Sequence, residues 1–293
     1  MSLFLDIHTH IDQHEPGEVQ GIVERARAAG VGAIITAGVT VASSERCVQI
    51  AHEHPSVFAG VGVHPEDMTS ELTPDNLGRL RRLAADPRVV VMSETGLDHT
   101  PPESFRPAPG SDWKPSTGRE WHDIQERAFR AQIAIAREQG LAVIYHNRLA
   151  TGDTLRVLKE EQVGETGGAA HYFQGGWDYA KALLDLGLYI SLAKPLLRKP
   201  ELQETVRNAP LDRIVLETDA FPQPYKPERS RWTEPKDIPL IAAKVAVLHR
   251  VAVEDVREST TRNALRLMGR RGEPVRAALI QARNPIEPSA QRP

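Results

Sequence analysis

An α/β fold, a (β/α)8 TIM barrel of the metal-dependent hydrolase type with an extra C-terminal helix, is what this chain predicts, on three observations. Short apolar runs alternate with longer amphipathic ones, the pattern of parallel strands joined by helical crossovers. Eight strand-like runs can be marked in the 293 residues, the number that closes a barrel of ordinary length. Most of these runs end in His, Asp or Glu, as barrel strands do where their C-terminal ends form a mouth. A doubly wound open sheet would give the same alternation, but eight units with polar ends favour the barrel.

The strand-like runs are Leu3–His8, Gly32–Ala37, Val57–His64, Val89–Glu94, Ala142–His146, Gly168–Phe173, Leu188–Ser191 and Arg213–Glu217. Helix-like segments fall between them: Glu18–Ala29, Ser43–His54, Thr73–Ala85, Glu120–Gln139, Thr151–Glu161, Trp177–Leu186 and Glu201–Asn208. Gly30, Gly140 and Gly187 stand just ahead of strands, where helix C-caps belong. Ser43 and Thr73 fit N-caps. A last helix, Val253–Met268, follows the eighth unit. The barrel domain is therefore expected over residues 1–268, with 269–293 a poorly ordered tail rich in Arg, Pro, Gln and Asn. Two Pro-rich stretches interrupt the rhythm, His99–Gly118 after strand four and Phe221–Pro235 after strand eight. In a barrel both overhang the mouth, where long loops are usually functional lids or disordered.

Composition narrows the function classes. A formal charge of −3 and a pI near 6.4 argue against a chain-wide basic footprint for polyanions and leave room only for a local patch. Cys47 is the single cysteine; it permits no intramolecular disulfide, fits a reducing compartment and reads as a small packing residue. The first strand begins at Leu3 without a cationic start or an apolar signal core, and no apolar run is long enough to span a bilayer. The expected location is the cytoplasm, with no membrane attachment and no obligate protein partner.

The chemistry is concentrated at the strand ends. Asp6, His8 and His10 alternate along the first strand and so share one side of it. His64, Glu94, His146, His171 and Asp219 end strands three, four, five, six and eight. The remaining histidines (His14, His52, His54, His99, His122 and His249) lie in helices or loops. Taken singly, a strand-end histidine fits a hydrogen-bonded structural role, Glu94 and Asp219 fit helix N-caps, and Asp6 fits a supporting hydrogen-bond acceptor. Jointly, imidazoles and carboxylates converging on one rim make a metal site. Their number exceeds what one tetrahedral ion needs and suits two divalent ions roughly 3.5–4 Å apart with a bridging carboxylate. Such a pair lowers the pKa of water and clamps a phosphoryl or carbonyl oxygen. The candidates are Zn, Mn or Mg, imidazole favouring the first two.

The ordered motifs resemble the TatD family of metal-dependent deoxyribonucleases, within the amidohydrolase-like barrels. They run Asp6-Ile7-His8-Thr9-His10, Gly62-Val63-His64-Pro65, Ser93-Glu94-Thr95-Gly96-Leu97-Asp98, His146-Asn147-Arg148, His171-Tyr172-Phe173-Gln174-Gly175 and Leu216-Glu217-Thr218-Asp219-Ala220. A closing-helix segment, Asn263 to Gly269, completes the likeness, which reaches to about residue 269. The resemblance implies that His8, His10, Glu94 and Asp219 bind one ion. It implies that Glu94, His146 and His171 bind the second, with Glu94 bridging and Asp219 taking a proton from the attacking water. His64 and Arg148 become substrate-side residues. Arg148 offers a planar fork for phosphate or, equally, a strand-end salt bridge. Glu217 fits a support for a ligand, a helix cap or an ion-paired residue.

The chain departs from the family at the mouth. The Pro-rich loop His99–Gly118 follows the Gly-Leu-Asp turn, and Ala220-Phe221-Pro222-Gln223-Pro224 stands where Ala-Pro-Tyr or similar is usual. Three functions follow. The first is a two-metal phosphodiesterase acting on DNA. The second keeps the metals but hydrolyses an amide, a lactone or a carboxyl ester, a mischarged transfer RNA included. The third is a non-enzymatic metal-binding barrel, disfavoured because structural zinc sites are closed and often cysteine-rich. Trp113, Trp121 and Trp232 lie in or beside the rim loops, where burial against the barrel is preferred to base stacking.

Overall fold

The computed structural model describes residues 2–67, 73–101 and 118–283. The eight strands are β1 (Phe4–Thr9), β2 (Val31–Ala37), β3 (Val57–Val61), β4 (Val89–Asp98), β5 (Ala142–Arg148), β6 (Gly168–Ala170), β7 (Tyr189–Leu192) and β8 (Ile214–Leu216). They pair in parallel in the order β1 to β8. The seam between the last strand and the first is tied by the Asp219 amide on the His8 carbonyl at 3.0 Å and the His10 amide on the Ala220 carbonyl at 2.7 Å. Strands covered on both faces read as continuous apolar runs, and every strand here except the end of β5 is buried throughout.

Between the strands lie α1 (Pro16–Ala28), α2 (Val41–Glu53), α3 (Pro74–Ala84), α4 (Arg119–Gln139), α5 (Thr151–Glu160), the short α6 (Val163–Thr166), α7 (Trp177–Asp185) and α8 (Pro200–Asn208). After β8 come α9 (Ile238–His249), α10 (Val253–Met268) and α11 (Glu273–Arg283). One apolar layer fills the space between strands and helices, with Ile22, Ile34, Phe129 and Ile133 among its members. A second draws on every strand, through residues such as Ile7, Ile35, Phe58, Ile144, Tyr189 and Val215, and is joined by Leu265, Met268, Val275 and Leu279 of the last two helices. Those helices close the floor of the barrel. No described helix is long and apolar enough to cross a membrane.

The structure corrects the sequence reading at several points. Residues 269–283 are not a loose tail: Gly269–Gly272 forms a 3-10 turn and α11 follows, while 284–293 lie outside the described residues. Pro274 near the helix start and the Val275/Leu279 pair one turn apart are the signals, since proline is favoured in a first turn and i, i+4 apolar residues share a face. Arg271 fastens the segment by donating to the carbonyls of Ala84, Asp86, Val89 and Gln139. Helix α9 was not anticipated, because Ile238–His249 is apolar nearly all round and shows little periodicity. Ser43 is not the N-cap of α2. Thr40 is, with Ser43 completing a capping box. Thr73 caps α3 as expected, accepting from the Asn76 amide at 3.1 Å. Most of the Pro-rich loop His99–Gly118 lies outside the described residues.

The segment after β8 is anchored to α1 by one buried carboxylate. Glu234 accepts from Arg25 Nε at 2.7 Å, Arg229 Nη1 at 2.7 Å and Lys236 Nζ at 3.0 Å. Burial by itself would raise its pKa, but Arg25 and Lys236 hold it down to about 2. A folded-state value below the ordinary 4.5 stabilises the fold above about pH 4.5 and loses that contribution as pH falls toward 2. Thermal unfolding followed from pH 5 to pH 2.5 should show a larger acid-dependent loss in the wild type than in Glu234→Gln. Leu279→Ala, which empties a contact on the barrel floor, should lower stability by about 2–4 kcal/mol with an unchanged urea m-value.

Candidate metal centre

Glu94, on β4, is the centre of the site. Its Oε2 lies 3.6 Å from His8 Nε2 and 3.4 Å from His10 Nε2. Its Oε1 lies 3.0 Å from His146 Nδ1, 3.3 Å from His171 Nε2 and 3.6 Å from His64 Nε2. Asp219 Oδ1 stands 3.3 Å from His10 Nε2, 3.8 Å from His171 Nε2 and 3.9 Å from His8 Nε2. All the sequence-predicted ligands therefore meet in one place, and each oxygen of Glu94 faces its own group of imidazoles. Three groups of donors have ligand atoms within 4.8 Å of one another: His8, His10 and Glu94; His64, Glu94 and His146; His8, His171 and Glu217.

The far side of each ring shows which nitrogen is free. His10 Nδ1 is 2.9 Å from the Ala37 carbonyl, so it carries the proton and leaves the Nε2 lone pair to the centre. His8 Nδ1 meets Ser93 Oγ at 3.1 Å, and His171 Nδ1 lies 3.0 Å from Glu217 Oε1. His146 Nε2 lies 2.9 Å from Asp98 Oδ2, which leaves Nδ1 toward Glu94. A ring held by an acceptor on one nitrogen and open on the other is the arrangement of metal-binding histidines. His64 is opposite in sense. Its Nδ1 accepts from the Glu66 amide at 3.2 Å, so Nε2 carries the proton and is a donor. The donor set fits divalent metal at His8, His10, His146 and His171, whereas His64 presents an N–H to the centre.

Electrostatics follow from this packing. Burial would raise the Glu94 carboxyl, yet His171, His64, His10 and His146 hold it well below the usual range. Asp219 is likewise held at about 2 against burial, by His171, His10 and His8. Burial opposes charge on His146, but Asp98 and Glu94 bring it up to about 9. His171 reaches about 9 through Glu217, Glu94 and Asp219. His64 falls to about 3, burial outweighing the pull of Glu94.

The backbone is irregular where these residues sit. Pairing shifts register between Asp6 and Thr9 on β1 and between Met92 and Thr95 on β4. Asp6 accepts from the His8 amide at 3.3 Å and, across the seam, from the Thr218 amide at 3.1 Å and Thr218 Oγ1 at 2.5 Å. Strand β3 ends at Val61, β6 at Ala170 and β8 at Leu216, which leaves His64, His171 and Asp219 on the loops that follow. Asp219, Tyr172 and Leu149 adopt left-handed backbone, with φ of 52°, 46° and 55°, uncommon for such residues and typical of functional rims. Gly96 cannot be replaced, since a Cβ there would sit 2.0 Å from the His146 carbonyl oxygen.

A cavity of about 890 Å³ opens above the centre, lined by His10, His64, Glu94, His146, His171 and Asp219 and, farther out, by Arg148, Lys199, Tyr172 and Phe221. Arg148 is exposed and forms no salt bridge with the described residues, which leaves its guanidinium to the cavity. Trp121 is buried on α4, and Trp232 packs under the Arg229 guanidinium at 4.2 Å; Trp113 lies outside the described residues. Two residues of the cavity escaped the sequence reading. Asp98 was missed because β4 was ended at Glu94, although Glu94, Gly96 and Asp98 alternate in sequence. Lys199 lies at the start of α8, and no sequence signal connects it with the mouth.

The sequence pattern of the family described as TatD related DNase matches residues 5–269. A metal-dependent hydrolase of Bacillus subtilis, YabD, is 32% identical over 271 residues, which cover 90% of this chain and 98% of the relative. The 3'-5' ssDNA/RNA exonuclease TatD of Klebsiella pneumoniae is 33% identical over 255 residues, 85% of this chain and 90% of that protein. Among solved structures, the TatD homologue YjjV of Escherichia coli superposes with a TM-score of 0.76 at 24% identity, covering 90% of this chain and 97% of that one.

The opposed pKa shifts can be read directly. In chelator-stripped protein, NMR titration of the imidazoles should find His64 neutral down to about pH 3. The same titration should find His146 and His171 protonated up to about pH 9.

Proposed function

This chain belongs to the TatD family of metal-dependent hydrolases, and we propose that it hydrolyses phosphodiester bonds of a DNA or RNA strand with two divalent ions, zinc or manganese in preference to magnesium. The observation that carries the proposal is the division of Glu94, Oε2 toward His8 and His10 and Oε1 toward His146 and His171. A carboxylate placed this way would serve two ions, one at each oxygen. Asp219 joins His8 and His10 at the first, and Glu94 completes the second with His146 and His171.

Divalent ions held there supply positive charge that stabilises the anionic transition state and lowers the pKa of water. The rest falls to the side chains. Asp219, ionised at neutral pH because its pKa lies near 2, accepts the proton of the attacking water. His64 offers its Nε2–H as a hydrogen-bond donor to a phosphoryl oxygen. Arg148 offers two parallel N–H donors to the same or the next phosphate. Ser93, Asp98 and Glu217 keep the ligand rings in their orientation and tautomer.

Substrate class is supported by the mouth. Its volume is near the top of the roughly 300–1,000 Å³ usual for ligand pockets, more than a small ester requires. Arg148 and Lys199 on its outer wall supply local positive charge to a chain that is acidic overall. The exonuclease name of the Klebsiella relative agrees with this reading.

The test is a substrate panel on stripped protein reloaded with zinc, manganese or magnesium: single-stranded DNA, RNA, a carboxylic ester and an amide. The phosphodiesters should turn over fastest. Glu94→Gln and Asp219→Asn should lower kcat by roughly a hundredfold to ten-thousandfold. Faster turnover of the ester or amide than of any strand would overturn the proposal, as would full activity of metal-stripped Glu94→Gln.

A further inference from the structure

Tyr172 occupies a position that ordinary strand geometry does not provide. In extended backbone, neighbouring side chains point to opposite sides, so the residue after the inward-facing His171 should turn away from the mouth. Here His171 and Tyr172 both line the cavity, and their ring centroids lie 5.8 Å apart with planes inclined by 33°. The left-handed conformation of Tyr172, φ 46°, makes this possible. A bulky side chain rarely adopts it unless the surroundings impose it.

Glu217 imposes it. The buried carboxylate accepts the Tyr172 amide and the Ser191 hydroxyl and stands 3.0 Å from His171 Nδ1. A single group thus orients a residue facing Glu94 and, next to it, an aromatic ring on the wall of the same cavity. The ring is half-buried. On the same wall Lys199 donates to Gln174, and both line the cavity.

We propose that Tyr172 is the platform on which a nucleobase beside the scissile phosphodiester stacks, with Lys199 against the neighbouring phosphate. The inference rests on the phosphodiesterase reading above. Aromatic stacking tolerates every base, because each has a π-face, and it needs a base free of its own stack. The site would therefore select strands with an unpaired nucleotide next to the cleaved bond, with little preference for which base it is.

The experiment measures kcat and KM on single-stranded oligonucleotides that carry either a base or an abasic residue on each side of the cleaved bond. Wild type, Tyr172→Ala and Tyr172→Phe are compared. Tyr172→Ala should raise KM roughly tenfold on the intact strand, Tyr172→Phe should restore it, and the penalty should vanish on the abasic strand. An equal penalty on both strands, or none on either, would overturn the inference. Wild type alone decides the case where Tyr172→Ala fails to fold: indifference to the missing base means that no stack is formed. If wild type cleaves no strand at all, the phosphodiesterase reading fails and this inference goes with it; if it cleaves intact and abasic strands alike, only the stacking is lost.

Discussion

A carboxylate buried among imidazoles is the constraint on which the rest of this molecule turns. Glu94 is 4% exposed, and an unpaired charge at that depth would be strongly destabilising. It is tolerated because five imidazoles from four other parts of the chain face its two oxygens. Four of those imidazoles have the Ala37 carbonyl, Ser93, Asp98 and Glu217 behind them, and the fifth, His64, has the Glu66 amide. The centre is thus a polar network in which each ring is backed by a polar group, the kind of network that makes a core rigid when its members are satisfied.

The barrel makes that network possible by bringing the ends of the chain together. His8 and Asp219 are far apart in sequence but share a backbone hydrogen bond across the β8/β1 seam. Asp6 locks the same seam from within through Thr218. Beneath it, α10 and α11 fill the floor with Leu265, Met268, Val275 and Leu279. A site at one end of a parallel barrel can remain polar and open because the apolar layers of the other end provide the stability.

Much of this was legible in the sequence, for reasons that can be named. Eight buried parallel strands leave eight apolar runs, and residues gathered at strand ends were visible before any fold was known. What escaped was what periodicity does not encode. Ile238–His249 is too uniformly apolar to show a helical stripe, and α11 hides its two core residues among arginines. Asp6 is the supporting acceptor expected of it, although a register shift after it interrupts the alternation of β1. The same rule would have found Asp98 had β4 been continued past Glu94. Lys199 and Tyr172 reach the mouth through loop geometry, which no local pattern records.

The tautomers separate the roles of residues that composition cannot. His10 and His64 are both histidines at the same rim, and both lie near Glu94. An acceptor behind His10 Nδ1 forces its lone pair inward, whereas a donor behind His64 Nδ1 forces its proton inward. An inward lone pair suits a cation, and an inward proton suits an anion. One backbone carbonyl and one backbone amide therefore give His10 and His64 opposite faces toward Glu94, which under the proposed function makes one a metal ligand and the other a donor to substrate. Between these two the difference lies in the backbone alone. It follows from where the β2–α2 and β3–α3 connections place their peptide groups, and it is why the catalytic layout of such a barrel is written in its loops as much as in its ligands.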